Sequence, residues 1–311
     1  MLRTIWLVSV LALSALLVWA AEPASLDFVH MSDTHVTAFE GIHPDIVATL
    51  ASKREATAHL AAALRRMGEG TPPAFVLITG DLIEGHGFVA ALGNDVKGQQ
   101  EAFAAIVKTS PVQVMLTLGN HDLTRYRPGP DKTKAVGDYT AASEAREAWR
   151  KALAPLRDGT YYSFKREVGR TSYLFLMLDD GEPNGRNPEF AAAQVKWIRE
   201  QLASHRSGPV VVAMHIPLPQ APYAKDIQDA LGTSPRVAMI VAGHRHSDGI
   251  EVVETGARKV TQVRTAALFL SDRNCRRVRL FEDRIEVFAT GRPEERVETV
   301  KLEGVAAAAG R

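Results

Sequence analysis

Three short apolar runs in this chain end alike, on a glycine followed at once by side chains that bind metals or protons. "VLITGD" (76–81) ends on Asp81, "VMLTLGNHD" (114–122) on Asn120, His121 and Asp122, and "AMIVAGHRH" (238–246) on His244 and His246. Two further runs deliver similar groups: "MSDTH" carries Asp33 and His35, and "VAMHIP" carries His215. Runs this short and rich in β-branched residues read as buried strands. Ligands of open α/β sheets gather beyond the carboxyl ends of such strands. The chain therefore has to fold so that five polar clusters share one edge.

The runs at 26–31, 74–79, 112–118, 172–178, 209–214 and 236–242 are the expected buried strands. Helical patterns fall between several of them, at 51–70, around 101–108, at 141–156 and at 191–205. Trp197 and Ile198 follow helical spacing with Leu202 and read as core. This alternation predicts an α/β fold around a largely central sheet. Residues 259–270 and 275–290 alternate polar and apolar side chains, with Glu282-Asp283 as a hairpin turn, so a second, more antiparallel sheet is expected there. After Gly291 the chain turns charged and then alanine-rich, which reads as a fraying tail over 293–311. Segments 36–50, 82–100 and 123–141 read as loops that overhang the strand ends and select substrate.

The collected set is two carboxylates, one amide and several imidazoles, which suits first-row divalent or trivalent metals better than calcium or a cysteine-based zinc structure. It holds more donors than one ion uses while keeping an open position. Two ions bridged by a carboxylate such as Asp81, about 3.5 to 4 Å apart, are therefore expected. In "DTH" and "HRH" the paired donors are separated by one residue, a spacing that puts both on one face of an extended segment.

Asp33-x-His35, Gly80-Asp81, Gly119-Asn120-His121-Asp122, His215 and Gly243-His244-x-His246, in this order, resemble the calcineurin-like metallophosphoesterase superfamily over roughly residues 26 to 290. The resemblance implies an α/β fold, a four-layer α/β/β/α sandwich with two mixed sheets, as a domain over 26–292. It implies that Asp33, His35, Asp81 and His246 hold one metal and that Asp81, Asn120, His215 and His244 hold the second. The ions would be Mn, Fe, Zn or similar. A hydroxide activated between them would attack the phosphate ester, with His121 stabilising charge or protonating the leaving alcohol. Three residues after the bridging Asp81, where some members carry an aspartate that orients the histidine and purple acid phosphatases carry a tyrosine ligand, this chain has Glu84. The glutamate is a candidate to orient His121, and the purple subgroup is set aside.

The implied function is hydrolysis of phosphate esters of small organic phosphates or nucleotides. The alternative is a phosphodiesterase for nucleotide or cyclic nucleotide diesters. A non-catalytic binding protein on the same fold stands further off, because no ligand and no catalytic histidine is missing.

Other polar residues carry weaker readings. Asp122 either supports Asn120 and His121 or caps the following segment. Arg125 and Arg127 either clamp a phosphate or are solvated. His30 reads as a hydrogen-bonded packing residue, and His59 and His205 read as surface residues. His43 and His86 lie in expected loops within reach of a substrate. Asp179 and Asp180 end a strand outside the ligand blocks and are assigned to a turn.

Residues 1–20 combine Arg3, an apolar stretch from Ile5 to Trp19 and small residues at Val18 and Ala20, the pattern of a cleaved secretory signal peptide. A secreted or periplasmic enzyme is expected, or one anchored in the membrane if that segment is kept. The 37 Lys and Arg residues nearly balance the 36 Asp and Glu, so no long-range field recruits a nucleic-acid polymer or an anionic membrane. The expected partner is a small phosphate ester. Cys275 is the only cysteine, which excludes an intrachain disulfide.

Overall fold

A computed structural model describes residues 23–89, 95–129 and 135–302. The expected signal peptide at 1–20 lies outside the described residues, as does the chain from 303 onward. Elements are numbered along the chain. The first sheet contains β1 (Ser25–Met31), β2 (Phe75–Thr79), β5 (Val114–Thr117), β14 (Arg276–Phe281), β15 (Arg284–Ala289) and β16 (Arg292–Lys301), in the order β16-β15-β14-β1-β2-β5. The second contains β8 (Tyr162–Val168), β9 (Thr171–Met177), β10 (Val210–Ala213), β11 (Val237–Ala242), β12 (Gly249–Thr255) and β13 (Arg258–Arg264), in the order β12-β13-β11-β10-β9-β8.

Strand parity explains why the core runs are continuously apolar. Phe28, Phe75, Leu77 and Met115 point from the first sheet toward Tyr173, Phe175, Met177, Val211 and Met239 of the second. Their neighbours Val29, Met31, Val76, Ile78 and Leu116 point the other way, onto α2 (Ala56–Arg66), α3 (Gln99–Val107) and α4 (Ala142–Ala152). Likewise Leu174, Leu176, Val212 and Ile240 cover α5 (Pro188–Ser204) and α6 (Ala224–Leu231), where Ile198 and Leu202 are core and Trp197 packs at its edge. Both faces of both sheets are buried near the middle, so the strands lose the polar alternation of a one-sided sheet. The result is an α/β/β/α sandwich.

β1, β2 and β5 run parallel, as do β9, β10 and β11. Their carboxyl ends lead into Asp33, Asp81, Asn120, Asp180, His215 and His244 at one edge of the two sheets.

The structure differs from the sequence reading in four places. Segments 259–270 and 275–290 do not form one sheet: β13 joins the second sheet, while the β14–β15 hairpin, turned by Glu282-Asp283, joins the first. Residues from 293 do not begin a tail, because β16 runs to Lys301 and pairs with β15. The stretches read as loops contain α1 (Pro44–Thr49) and a third sheet of β3 (Gly87–Val89), β4 (Asp95–Val96), β6 (Arg125–Pro128) and β7 (Ala135–Asp138), in the order β4-β3-β6-β7. Finally, β8 extends the second sheet beyond any run that was identified.

Candidate metal centre

The donors are aimed by backbone that ordinary residues avoid. Among the described residues six non-glycines have positive φ: Asp33 (54°), His35 (44°), Asp81 (47°), His244 (68°), His246 (56°) and Tyr223 (54°). Five of the six belong to the expected ligand set. Left-handed backbone costs a non-glycine residue about 1–2 kcal/mol, so its concentration here marks a site held in place by its surroundings. This corrects the expectation of extended "DTH" and "HRH" segments: the paired donors converge through left-handed turns. Asp33 N–H donates to the Gly80 carbonyl and His35 N–H to that of Asp81, lacing the two turns together. Glycine precedes Asn120 because there is no room for a side chain: a Cβ on Gly119 would lie 2.4 Å from Asp81 N.

Two groups of donors result from the expected ligands, beside a third set formed by His35, Glu84 and His121. Ligand atoms of Asp33, His35, Asp81 and His246 lie within 4.8 Å of one another, and so do those of Asp81, His215 and His244. In the first group His246 Nε2 is 3.3 Å from both Asp33 Oδ1 and His35 Nε2, and His35 Nε2 is 3.6 Å from Asp81 Oδ2. In the second, His215 Nε2 is 3.2 Å from Asp81 Oδ2, 3.2 Å from Asn120 Oδ1 and 3.3 Å from His244 Nδ1. Asp81 belongs to both groups.

The donor chemistry fits metal ions. Thr79 carbonyl accepts from His215 Nδ1 at 2.8 Å, which leaves the lone pair of Nε2 facing two oxygens. Asp33 Oδ1 is buried and makes no hydrogen bond. Such a cluster holds together only around positive charge. In the protein alone a proton supplies it: burial pulls the His215 pKa down, but Asp81 and Asp33 overcome that and raise it to about 10. His244 is pushed down to about 4, first by burial and then by His215.

Buried groups behind the donors fix their directions. Asp180, read as a turn residue, accepts from the backbone N–H of His215 at 2.9 Å and of Ile216 at 2.8 Å; burial raises its pKa to about 7. Asp122 accepts from Gly119 N–H at 2.7 Å and Ile83 N–H at 3.0 Å, which ties the loop after β5 to that after β2. Its pKa is also raised to about 7, by burial and then by Asp81. Asp179, the other assigned turn residue, holds Arg146 through Nε at 2.8 Å and an Nη at 3.1 Å.

Glu84 sits where the sequence puts it but serves two rings. Its Oε2 is 2.7 Å from His35 Nδ1, in an alignment short of a hydrogen bond, and 2.6 Å from Lys53 Nζ; its Oε1 is 3.6 Å from His121 Nδ1. Burial opposes its ionisation, yet His35, His121 and Lys53 hold its pKa down to about 2. The hydrogen bonds of His121 Nδ1 go instead to the Glu84 carbonyl at 3.0 Å and the Tyr126 hydroxyl at 2.8 Å. Nε2 of His121 lies 4.0 Å from Asp81 Oδ2. Sequence reasoning missed Tyr126, and Tyr139, whose hydroxyl lies beside the side chains of Thr124 and Asn120.

Arg125 and Arg127 are not brought to the donors. They flank Tyr126 on β6, so strand alternation turns both to the face opposite the one that meets His121. Arg125 lines a separate cleft with His86 and Lys97, and Arg127 is exposed. His43 caps α1 by accepting from Asp45 N–H, and His86 is buried against Gln100. His30 is a packing residue bonded to Thr79 Oγ1 at 2.8 Å. His59 meets the Phe269 carbonyl. His205 is buried against the Gly208 carbonyl, which corrects its surface assignment.

Comparison with known proteins follows the same line. The family model described as calcineurin-like phosphoesterase matches residues 26–248. No curated protein matches the chain by sequence. Among solved structures, a dimetal phosphatase from Danio rerio is similar at a TM-score of 0.58 and 14% identity, covering 91% of this chain and 100% of its own. The calcineurin-like phosphoesterase YfkN from Bacillus subtilis is similar at a TM-score of 0.45 and 11% identity, covering 91% of this chain and 92% of its own.

Proposed function

The chain belongs to the calcineurin-like phosphoesterase family and is a phosphoester hydrolase by that membership, and from this premise we propose that it cleaves phosphate esters of small organic phosphates or nucleotides at a two-metal centre. One observation carries the reading: Asp81 is shared by two donor groups whose ligand atoms each lie within 4.8 Å of one another. Asp33, His35, Asp81 and His246 would hold one ion, and Asp81, Asn120, His215 and His244 the other. When bound, the ions supply Lewis acidity that lowers the pKa of water and offsets phosphoryl charge.

The chain's own residues do the rest. Thr79 and Asp180 fix His215, and Asp122 locks the two loops that carry Asp81 and His121. His121 presents Nε2 beside Asp81, where it meets a phosphoryl oxygen or the departing alcohol. Export rests on the apolar stretch at 5–19 and the small residues at Val18 and Ala20. Among the described residues no helix is long and apolar enough to cross a membrane.

The test is hydrolysis of p-nitrophenyl phosphate against bis(p-nitrophenyl) phosphate by metal-free protein reconstituted with Mn, Fe, Zn or Ni, beside Asp81→Asn. Metal-dependent turnover that the variant loses is expected, and the ratio of the two rates sets monoester against diester. Two bound ions with no turnover on either substrate would favour a binding protein.

A further inference from the structure

Building on the hydrolase reading above, we infer that Tyr126 is the residue that positions His121 for proton transfer, while the carboxylate of Glu84 serves the metal ligand His35. The Glu84 carbonyl, 3.0 Å from His121 Nδ1, can only accept, so that nitrogen carries the hydrogen. The Tyr126 hydroxyl lies 2.8 Å from the same nitrogen and shares that hydrogen. Together they fix the tautomer and the tilt of the ring, and leave Nε2 as the nitrogen that faces Asp81.

The fold makes a slot for this tyrosine. Its ring stacks on Phe88 with centroids 5.7 Å apart and planes 18° from parallel. A Cβ on Gly85 would lie 2.7 Å from Tyr126 Cδ2, and one on Gly137 would lie 3.0 Å from Cε1. Two glycines on neighbouring segments thus clear the space in which the hydroxyl is held. Burial, and then the charges of Glu84 and Asp81, raise its pKa, so it stays a neutral hydroxyl.

In hydrolysis the water oxygen bonds to phosphorus and sheds a proton to solvent. The bond from phosphorus to the leaving oxygen breaks with its electron pair on that oxygen, which takes a proton through Nε2 of His121; solvent then restores that proton, while Nδ1 keeps its hydrogen throughout. A p-nitrophenolate leaves without that proton, whereas a phenolate needs it far more. Loss of Tyr126 therefore acts on poor leaving groups.

The experiment compares zinc-loaded wild type and Tyr126→Phe on phenyl and p-nitrophenyl esters of whichever class the wild type turns over. We expect kcat to fall about tenfold on the phenyl ester and about twofold on the p-nitrophenyl ester, with KM and zinc content little changed. Equal losses on both esters, or none, would overturn the assignment. Nitrogen-15 histidine spectra of the same zinc-loaded proteins read the ring without turnover: one sharp Nδ1–H resonance of His121 in wild type, and a shifted, exchange-broadened one in Tyr126→Phe, where the Glu84 carbonyl alone holds that hydrogen. An unchanged spectrum would also overturn it. A wild type inactive with every metal sinks the hydrolase reading, and the spectra still decide the role of Tyr126.

Discussion

Oε2 of Glu84 lies 2.7 Å from Nδ1 of His35, and the same oxygen is 2.6 Å from Lys53 Nζ. Lys53 in turn sits 4.5 Å above the ring of Phe269, whose edge-on neighbours are His35 and His246. The carboxylate thus raises the basicity of one metal donor, and the lysine and phenylalanine hold that carboxylate in place. Glu84→Gln removes the charge and keeps the shape. Affinity for the ion held by His35 should fall about 10- to 100-fold, measured by competition with a chromophoric chelator, while the other site changes less. Equal affinity in variant and wild type would remove Glu84 from any role in holding His35.

Removing metal should loosen the protein. Asp33 and Asp81 are buried carboxylates in one cluster, where the proton shared with His215 offsets only part of their charge, so cations relieve repulsion that the fold otherwise has to absorb. Chelator-treated protein should melt lower, and metal at about 100 times its Kd should add about 2.7 kcal/mol per site. Asp81→Asn should lose both increments, because Asp81 is in both donor groups. A calorimetric scan that shows the same Tm with and without metal would count against the donor assignment.

Much of this was legible because the strands that carry the donors are buried on both faces, and an unbroken apolar run followed by a polar residue is a strong pattern. Asp180 ends β9 just as the donors end theirs, and that shared position was the available clue to its hold on His215. Tyr126 offered none: β6 has four residues, too few to show a period, and its slot is made by glycines distant in sequence. β16 looked like a tail because its first six residues, Arg292 to Val297, are all exposed, as suits the charged edge strand of a sheet. The left-handed turns were unreadable because Asp and His, not glycine, occupy them.

Gly119 tests how closely the loops are fitted. A Cβ there would lie 2.4 Å from both the backbone nitrogen and Oδ1 of Asp81, and 2.9 Å from Cδ2 of His215. Backbone has to move, so Gly119→Ala should cost about 1–3 kcal/mol and bring bound metal below two ions per chain. Denaturant unfolding and metal analysis read the two effects. A variant of full stability and full metal content would show that the loops have slack.

Asp180 tests whether a buried carboxyl with no direct part in the donor groups still shapes them. Its two oxygens accept from consecutive backbone N–H groups, of His215 and Ile216, and His215 is fully buried. Asp180→Ala leaves both donors without a partner, at about 1–3 kcal/mol each, and frees the segment that sets the angle of His215. Asp180→Asn keeps one acceptor oxygen and sheds a carboxyl that burial already disfavours in its charged form. The alanine variant should therefore lose clearly more stability than the asparagine variant in denaturant unfolding. It should also bind the ion held by His215 more weakly, while the ion held by His35 and His246 is affected less. If the two variants lose equally, the N–H pair is satisfied by other means and Asp180 does not position His215.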